Sequence, residues 1–264
     1  MLEELIRIAK DAGNIILSAH DIGSAVSQKT SHRDLVTEYD KRVEQLLQAE
    51  LLKLLPDAAF LGEEGDETPD WEQAEQLFIV DPIDGTTNFV QGYPNCCVSI
   101  GLMRRGVMEY GVIHNPFTGE MYYAKRGEGA FERGRRLSAE DRDLEHSLLI
   151  FGSAAYYRDL IETTSDIFRE VFPKAQDIRR FGSAALDFCY LAAGKAGAFY
   201  ECRLCPWDYA AGSLIAQEAG LTVTALSGAP LDLLHKCSVL AAAPTAHRQL
   251  LEIAAPLMKA RGLR

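Results

Sequence analysis

Acidic residues directly follow an apolar segment whose length fits a buried strand. Residues 77–80 are Leu-Phe-Ile-Val, and Asp81 and Asp84 come next, separated by Pro82 and Ile83. A continuous apolar run of this kind is typical of an interior strand. We expect the strand to end at Pro82, because proline cannot donate a hydrogen bond to a sheet ladder. Asp81 and Asp84 would then lie in a turn, where their carboxylates converge on one point.

The residues around Asp84 add groups that bind ions of both signs. Gly85 can adopt backbone angles that other residues avoid, so its amide and that of Thr86 can point at an anion. The carbonyl group of Ile83 is free to act as a further oxygen ligand. Carboxylate and carbonyl oxygens bind hard cations, so the segment predicts a cation site beside a phosphate site. Taken alone, Asp-Pro and Asp-Gly are also common in ordinary turns.

Three other acidic segments could contribute to the same site. Glu63 and Glu64 lie between glycines after a short apolar stretch, Asp40 follows Asp34-Leu-Val-Thr, and Asp208 comes after Trp207 at the start of a helix. Each also has a plainer explanation. Adjacent glutamates are common on solvated surfaces, and an aspartate in the first turn of a helix is a good cap.

The elements that must position these residues change character along the chain. In the first half we predict helices over 2–17 and about 43–54, strands over 34–37, 58–61 and 77–80, and an antiparallel meander over 98–137. In the second half we predict strands over 148–151, 198–201 and 238–243, and helices over 158–172, 182–193, 209–219 and 245–257. This order predicts an α+β chain of layered sheets and helices in one unit.

The charge balance limits the classes of partner. The 264 residues include 27 Lys and Arg against 38 Asp and Glu, which gives a net charge of −11. Such a surface repels a nucleic-acid backbone, so we expect no nucleic-acid partner. Because the net charge is negative, bound metal ions would have to attract any phosphate group of a substrate. No apolar run is as long as a membrane-spanning helix, which needs about 20 residues. The N-terminus does not resemble a signal peptide. We therefore expect no membrane association and a cytoplasmic location.

Four segments, in this order, resemble the motifs of the inositol monophosphatase family: Asp34-Leu-Val-Thr-x-x-Asp40, Gly-Glu63-Glu64, Asp81-Pro-Ile-Asp84-Gly-Thr-Thr and Trp207-Asp208. The likeness covers nearly the whole chain. It implies a layered α-β-α-β-α sandwich, the inositol monophosphatase or fructose-1,6-bisphosphatase-like fold. A single domain over 1–264 would then comprise helices plus an antiparallel sheet in 1–145 and an alternating α/β part in 146–264. The resemblance also implies a Mg²⁺-dependent, lithium-sensitive phosphomonoesterase that forms a homodimer.

The resemblance implies a role for each acidic residue in binding two to three Mg²⁺ ions. Glu63, Asp81 and the Ile83 carbonyl would bind the first ion. Asp81, Asp84 and Asp208 would bind the second, and Glu63 would reach a third through water.

It also implies which residues prepare the nucleophile. Glu64 would orient metal-bound waters, while Asp40 and Thr86 would hold and help to deprotonate the attacking water. Lys29 matches a loop lysine near the metals. The amides of Gly85 and Thr86 would stabilise the phosphate oxygens during in-line attack.

For the substrate, the resemblance implies a small phosphorylated polyol. Glu201 matches a glutamate that binds inositol hydroxyls, and Ser183 and Ala184 match a segment whose backbone touches the ring. On the phosphate side, the substrate-binding residues would be Asp84, Gly85, Thr86 and Asp208. Ser183 could equally be a plain helix N-cap. Thr87-Asn88-Phe89 favours the inositol branch over nucleotide bisphosphatases. The departures are Gln91, where many relatives carry a basic residue, and the segment 202–205.

Several functions remain open at this point. We expect myo-inositol 1-phosphate hydrolysis first. Fructose 1,6-bisphosphate, histidinol phosphate and 3′-phosphoadenosine 5′-phosphate are alternatives on the same metal core. From another class, the chain could be a regulatory scaffold that binds a macromolecular partner, although the full set of metal ligands argues against this as its only role.

Overall fold

The N-terminal helices cover one face of the molecule. The computed structural model describes residues 1–20, 26–28, 35–65, 70–154 and 157–263. Helices α1 (Leu2–Leu17) and α2 (Glu38–Leu54) pack together, and the short strands β1 (Val26–Gln28) and β2 (Leu35–Thr37) pair antiparallel. The predicted helices and the extended segment before α2 are confirmed within the described residues. Asp34 and Lys29 lie outside them.

A seven-stranded sheet forms the centre of the first half. Its strands follow one another in chain order, and only the first pair is parallel, so the predicted antiparallel meander is confirmed. The short helix α3 (Thr86–Val90) follows the second strand. The strands are β3 (Ala59–Gly62), β4 (Gln76–Asp84), β5 (Cys97–Arg104), β6 (Val107–Asn115), β7 (Glu120–Lys125), β8 (Gly129–Glu132) and β9 (Arg135–Arg136).

The prediction that the strand ends at Pro82 is wrong. Strand β4 continues to Asp84, and its pairing with β5 shifts between Asp81, opposite Ser99, and Asp84, opposite Cys97. This irregularity is a β-bulge, in which the extra residue does not need to donate to the ladder. Proline is tolerated at such a position. Asp81 and Asp84 are therefore carried by one bulged strand and not by a turn.

The described residues of the second half form a five-stranded sheet and four α-helices. The strand order is β11-β10-β12-β14-β13, with two strands that the sequence analysis missed at the edges. The strands are β10 (Leu148–Phe151), β11 (Asp177–Arg179), β12 (Ala198–Leu204), β13 (Thr222–Thr224) and β14 (Cys237–Ala242). The helices are α4 (Ile161–Val171), α5 (Ala184–Ala192), α6 (Pro206–Glu218) and α7 (Pro244–Ala260).

Four apolar cores define the layers. Helices α1 and α2 bury residues such as Leu47 against one face of the seven-stranded sheet, and α5 and α6 bury Leu214 against its other face. The same two helices bury Phe188 against the five-stranded sheet, whose far face carries Leu250 of α7 and the residues of α4. The arrangement confirms the layered α-β-α-β-α sandwich. Because α5 and α6 pack against both sheets, we propose that 1–145 and 146–264 form one domain.

Within the described ranges, no helix is both long enough and apolar enough to cross a bilayer.

Helix α6 approaches the seven-stranded sheet closely where the sheet carries glycines. A Cβ atom added to Gly111 would lie 2.7 Å from the backbone oxygen of Ala211. A Cβ atom added to Gly101 would first meet Met108 Cε, at 2.6 Å, which is the end of a flexible side chain. Only the first contact involves two backbones that cannot move apart easily, so the layer spacing depends most on Gly111.

We predict that Gly111→Ala destabilises the protein by about 1–3 kcal/mol, the usual cost of overpacking a core. Gly101→Ala is the matched control and should cost less, because Met108 can change rotamer. Urea denaturation of both variants measures the difference in the free energy of unfolding. Equal stability of Gly111→Ala and the wild-type protein would contradict the close packing of α6.

Candidate functional site

The ends of strands and the starts of helices from both halves of the chain meet at one cleft. Its cavity has a volume of about 110 Å³ and lies where β4 and β12 end and where α3, α5 and α6 begin. Most of the residues singled out in the sequence line it, namely Glu63, Asp81, Ile83, Asp84, Gly85, Thr86, Ser183, Ala184, Glu201 and Asp208. The fold therefore brings these distant segments together.

Three carboxylates form a compact cluster at the cleft. Asp81, Asp84 and Asp208 each offer an oxygen, and these oxygens lie within 4.8 Å of one another. Burial and the charges of Glu63, Asp84 and Asp208 raise the pKa of Asp81 well above its usual value. Burial, together with Asp84 and Glu63, also raises the pKa of Asp208. In the absence of a counterion, the cluster resists full ionisation.

Neighbouring donors fix the orientation of each carboxylate. The Ile83 amide donates to Asp81 Oδ1 at 3.0 Å, and the Cys205 amide donates to Asp208 Oδ2 at 2.7 Å. Asp84 Oδ2 accepts the Ser183 hydroxyl at 2.5 Å and the Ala185 amide at 2.7 Å. Burial raises the pKa of Asp84 to about 6, and the bonds from Ser183 and Ala185 limit the rise. Asp84 thus lies at the N-terminus of α5, where negative charge is favoured.

The donor set fits a hard divalent cation. Asp81, Asp84, Asp208 and the nearby Glu63 offer only oxygen atoms, which Mg²⁺ prefers over nitrogen or sulfur. A cation would also remove the repulsion that raises the pKa values of Asp81 and Asp208. The cluster is therefore suited to bind metal, while the identity and number of the ions stay expectations.

Asp40 and Thr86 contact each other beside the cluster. Asp40 Oδ2 accepts hydrogen bonds from the amide and the hydroxyl of Thr37, at 2.7 and 2.5 Å, and forms a capping box at the start of α2. The Thr86 hydroxyl lies 3.3 Å from Asp40 Oδ1 and 3.2 Å from the Ile83 carbonyl oxygen. The plainer interpretation of Asp40 as part of a helix cap is correct, and its second oxygen still faces Thr86.

Gly85 allows the chain to turn sharply between Asp84 and α3. Its φ is +95°, in the region that favours glycine. A Cβ atom there would lie 3.0 Å from the Asn95 carbonyl oxygen and 3.2 Å from that of Gly182. The unusual backbone conformation predicted for Gly85 is therefore present, and the site leaves no space for a larger residue.

Glu64 lies outside the group of cavity-lining residues. Its amide donates to Glu44 Oε2 at 2.9 Å. Glu44 is completely buried in α2, and a Cβ atom on Gly62 would overlap its carboxylate. Glu44 was not predicted from the sequence, although it follows Asp40 by one helical turn. The role of Glu64 in orienting water stays a prediction.

The other wall of the cleft carries Glu201. Burial raises the pKa of Glu201 to about 7, although the Ala154 amide donates to its Oε1 at 2.9 Å. A Cβ atom on Gly152 would overlap the Glu201 carboxylate, so glycine is required there. The plainer interpretation of Ser183 as a helix N-cap is correct, because its hydroxyl accepts from the Leu186 amide at 3.4 Å. The same hydroxyl donates to Asp84, and contact of this segment with the ring stays a prediction.

Two further cleft residues were missed in the sequence. Asp187 is buried within α5 and Arg180 precedes the same helix, and both line the cavity. A signal for Asp187 was present, because it is the only charged residue in an otherwise apolar helix. Arg180 carried no such signal, since it follows another arginine in a polar segment.

The chain resembles characterised proteins over nearly its full length. The model of the inositol monophosphatase family matches residues 1–259. Inositol monophosphatase 2 of Mus musculus is 40% identical, over 91% of this chain and 84% of its own length. Nus factor SuhB of Vibrio cholerae is 36% identical, over 96% of this chain and 94% of its own length.

Solved structures share the fold. The extragenic suppressor protein suhB of Bartonella henselae superimposes with a TM-score of 0.88 at 36% identity, covering 96% of this chain and 97% of that one. SaIMPase-II, with inositol monophosphate bound, superimposes with a TM-score of 0.84 at 27% identity, covering 99% of this chain and 97% of that one. These likenesses confirm the layered fold predicted from the sequence.

We predict that Asp81→Asn makes the metal-free protein more stable at pH 7.5. The pKa of Asp81 is raised in the folded state, so its ionisation opposes folding as the pH rises above the usual aspartate range. A gain of about 1 kcal/mol would raise the melting temperature by about 2–4 °C. Thermal melts at pH 5 and 7.5 should also differ less in the variant than in the wild-type protein.

The exposed Asp57 provides the matched control. Asp57→Asn should change stability by less than about 0.5 kcal/mol. A lower melting temperature of metal-free Asp81→Asn at pH 7.5 would show that ionised Asp81 does not destabilise the folded protein.

Proposed function

Because the chain belongs to the inositol monophosphatase family, we propose that this metal-dependent phosphatase hydrolyses myo-inositol 1-phosphate to inositol and phosphate. The observation that carries the proposal is the position of Glu201, which faces the same cavity as Asp81, Asp84 and Asp208. A site for a polyol phosphate needs one wall that binds metal and another that accepts hydrogen bonds from hydroxyl groups.

We propose that the metal ions are two to three Mg²⁺ held by the acidic cluster. Glu63, Asp81 and the Ile83 carbonyl would hold one ion, and Asp81, Asp84 and Asp208 another, while Glu63 would also reach a third. When bound, Mg²⁺ neutralises the phosphate ester and lowers the pKa of an attacking water. The raised pKa values of Asp81 and Asp208 support this role, because each carboxylate gains stability when a cation is present.

The protein's own residues would move the proton and hold the phosphate. Thr37 hydrogen-bonds to one oxygen of Asp40, and the other oxygen lies 3.3 Å from the Thr86 hydroxyl, through which it would accept a proton. Thr86 would thereby orient the water for in-line attack, with Glu64 assisting. The amides of Gly85 and Thr86 would donate to the phosphate oxygens, whose charge shifts during transfer. Lys29 belongs to this proposal by resemblance alone.

The alcohol side favours a neutral polyol over the rival substrates. Glu201, Ser183 and Ala184 would contact the ring. A second phosphate, as in fructose 1,6-bisphosphate or 3′-phosphoadenosine 5′-phosphate, would meet the carboxylates of Glu201 and Asp187 and be repelled. The relative SaIMPase-II holds inositol monophosphate, which supports the same substrate for this chain.

A second candidate function comes from the relatives named Nus factor SuhB. A regulatory role through a macromolecular partner would be compatible with the same fold. Direct contact with RNA is disfavoured by the net charge of −11. Mg²⁺ titration separates the two functions, because a scaffold with no enzymatic role has no need to bind metal at millimolar concentration.

We also propose a homodimer in the cytoplasm. Two large aromatic side chains, Tyr93 and Phe117, are exposed by 65% and 43%. They lie near each other, because the Asn115 side chain donates to the Pro94 carbonyl at 3.0 Å and accepts from the Phe117 amide. Exposed aromatic residues of this kind are enriched at interfaces.

The test of the proposed function is phosphate release from a panel of esters. The panel contains myo-inositol 1-phosphate, fructose 1,6-bisphosphate, histidinol phosphate and 3′-phosphoadenosine 5′-phosphate, each with Mg²⁺, with EDTA, and with Mg²⁺ plus lithium. We expect Mg²⁺-dependent release that is fastest for myo-inositol 1-phosphate and is inhibited by lithium. Faster release from another ester would reassign the substrate, and no release at all would favour the scaffold.

We predict that Asp84→Asn abolishes turnover while the protein stays folded. The substitution removes a proposed metal ligand but keeps an oxygen that can accept from Ser183 and Ala185. Turnover should fall by about 100-fold or more, while the melting temperature of the metal-free protein does not fall. Near-normal turnover would rule out Asp84 as a metal ligand.

We predict that Glu201→Gln changes selectivity among polyol phosphates more than it changes metal dependence. Glu201 lies on the wall that faces the alcohol, and the neutral amide binds hydroxyl groups more weakly than a carboxylate does. The measurement is kcat/KM for each ester, together with the Mg²⁺ concentration that gives half-maximal rate. An equal loss on every ester would place Glu201 outside the alcohol site.

A further inference from the structure

Asp187 is a buried carboxylate whose hydrogen bonding is incomplete. Its side chain lies one helical turn into α5, is 2% exposed, and lines the cavity that holds the acidic cluster. Within the described part of the chain, its Oδ1 atom has no hydrogen-bond partner. Burying such an atom costs free energy, and native proteins retain few of them. An unpartnered carboxylate oxygen at a binding cavity indicates a missing hydrogen-bond donor.

Two charged side chains of the same cavity define what the donor must be. Glu201 lines the same cavity as Asp187. Burial, Asp84 and Glu201 raise the pKa of Asp187, and Arg180 opposes the rise at both Asp187 and Glu201. Arg180 is exposed and lines the same cavity, and it forms no ion pair among residues that the structure describes. The ligand therefore meets two acceptors and one donor.

A hydroxyl group suits this combination. A carboxylate accepts hydrogen bonds, a guanidinium donates them, and a hydroxyl group does both. A second phosphate would face the negative charges of Asp187 and Glu201. A neutral group with several hydroxyls avoids this repulsion and can hydrogen-bond to all three side chains.

We propose that Asp187 is a specificity-determining residue that accepts a hydrogen bond from a hydroxyl of the leaving polyol, distinct from the hydroxyl bound by Glu201. Arg180, at the same cavity, donates to the polyol oxygens. This inference rests on the proposed hydrolysis of a polyol phosphate and adds a second point of recognition to it. A ligand with two correctly placed hydroxyls would be favoured over one with a single hydroxyl.

Substituting Asp187 separates binding from folding. Because the carboxylate is buried and its Oδ1 has no partner among the described residues, its removal should leave the melting temperature unchanged or raise it. Thr163 is the matched control, since it is also buried with an unpartnered hydroxyl but lies in α4, outside the cleft. Thr163→Val removes a buried polar atom without touching the cavity.

The experiment compares kcat/KM on two esters at saturating Mg²⁺. Myo-inositol 1-phosphate carries the hydroxyls, whereas cyclohexyl phosphate has the same ring size and no free hydroxyl. We expect Asp187→Ala to lose about 10-fold or more on the inositol ester and less than about 3-fold on the cyclohexyl ester. Asp187→Asn, which keeps a neutral acceptor, should fall between, and Thr163→Val should match the wild-type protein on both.

The outcomes distinguish this inference from the proposed function. A wild-type protein that does not prefer the inositol ester overturns the polyol assignment, and the role of Asp187 with it. A wild-type protein with that preference, combined with an equal loss on both esters or no loss in Asp187→Ala, overturns only the role of Asp187. A fall in the melting temperature of both Asp187 variants together with an equal loss on both esters would assign Asp187 to the fold.

Discussion

Repulsion among closely spaced carboxylates is the constraint on which the rest of the site depends. Asp81, Asp84 and Asp208 place oxygens within 4.8 Å of one another, and burial raises the pKa of each. Left alone, this cluster opposes folding at neutral pH. The protein retains it because donors such as Ser183 hold each group in place and because a cation can compensate the charge. Carboxylates whose pKa values are raised together at one place are typical of a functional site, here one that can bind a cation.

The layered fold explains how the cluster can form. Asp81 and Asp84 come from the bulged end of β4, in the seven-stranded sheet, whereas Asp208 comes from the start of α6, between the two sheets. Close contact between α6 and Gly111 brings these parts together. The start of α5 lies in the same layer and supplies the donors for Asp84. Packing between layers therefore sets the geometry that the chemistry requires.

The sequence predicted what depends on local pattern. The element order, the layered fold, the acidic segments and the role of Gly85 as a sharp bend all follow from short stretches of residues. The prediction that β4 ends at Pro82 was wrong, because a bulge lets Pro82 remain in the strand. Edge strands β11 and β13 were missed, since three polar or mixed residues carry little periodicity. Asp187 was also missed, because a lone charged residue in an apolar helix does not reveal its position at the cleft, which depends on how α5 packs.

We propose that the carboxylate cluster binds a divalent cation and takes up protons when the cation is absent. The most direct test is Mg²⁺ titration calorimetry at pH 6 and 8, in buffers that differ in ionisation enthalpy. Because burial raises the pKa of Asp84 to about 6 and raises those of Asp81 and Asp208 well above their usual value, binding should release protons, and more of them at pH 6. Mg²⁺ binding with no proton release at either pH, or no binding at millimolar Mg²⁺, would contradict the account.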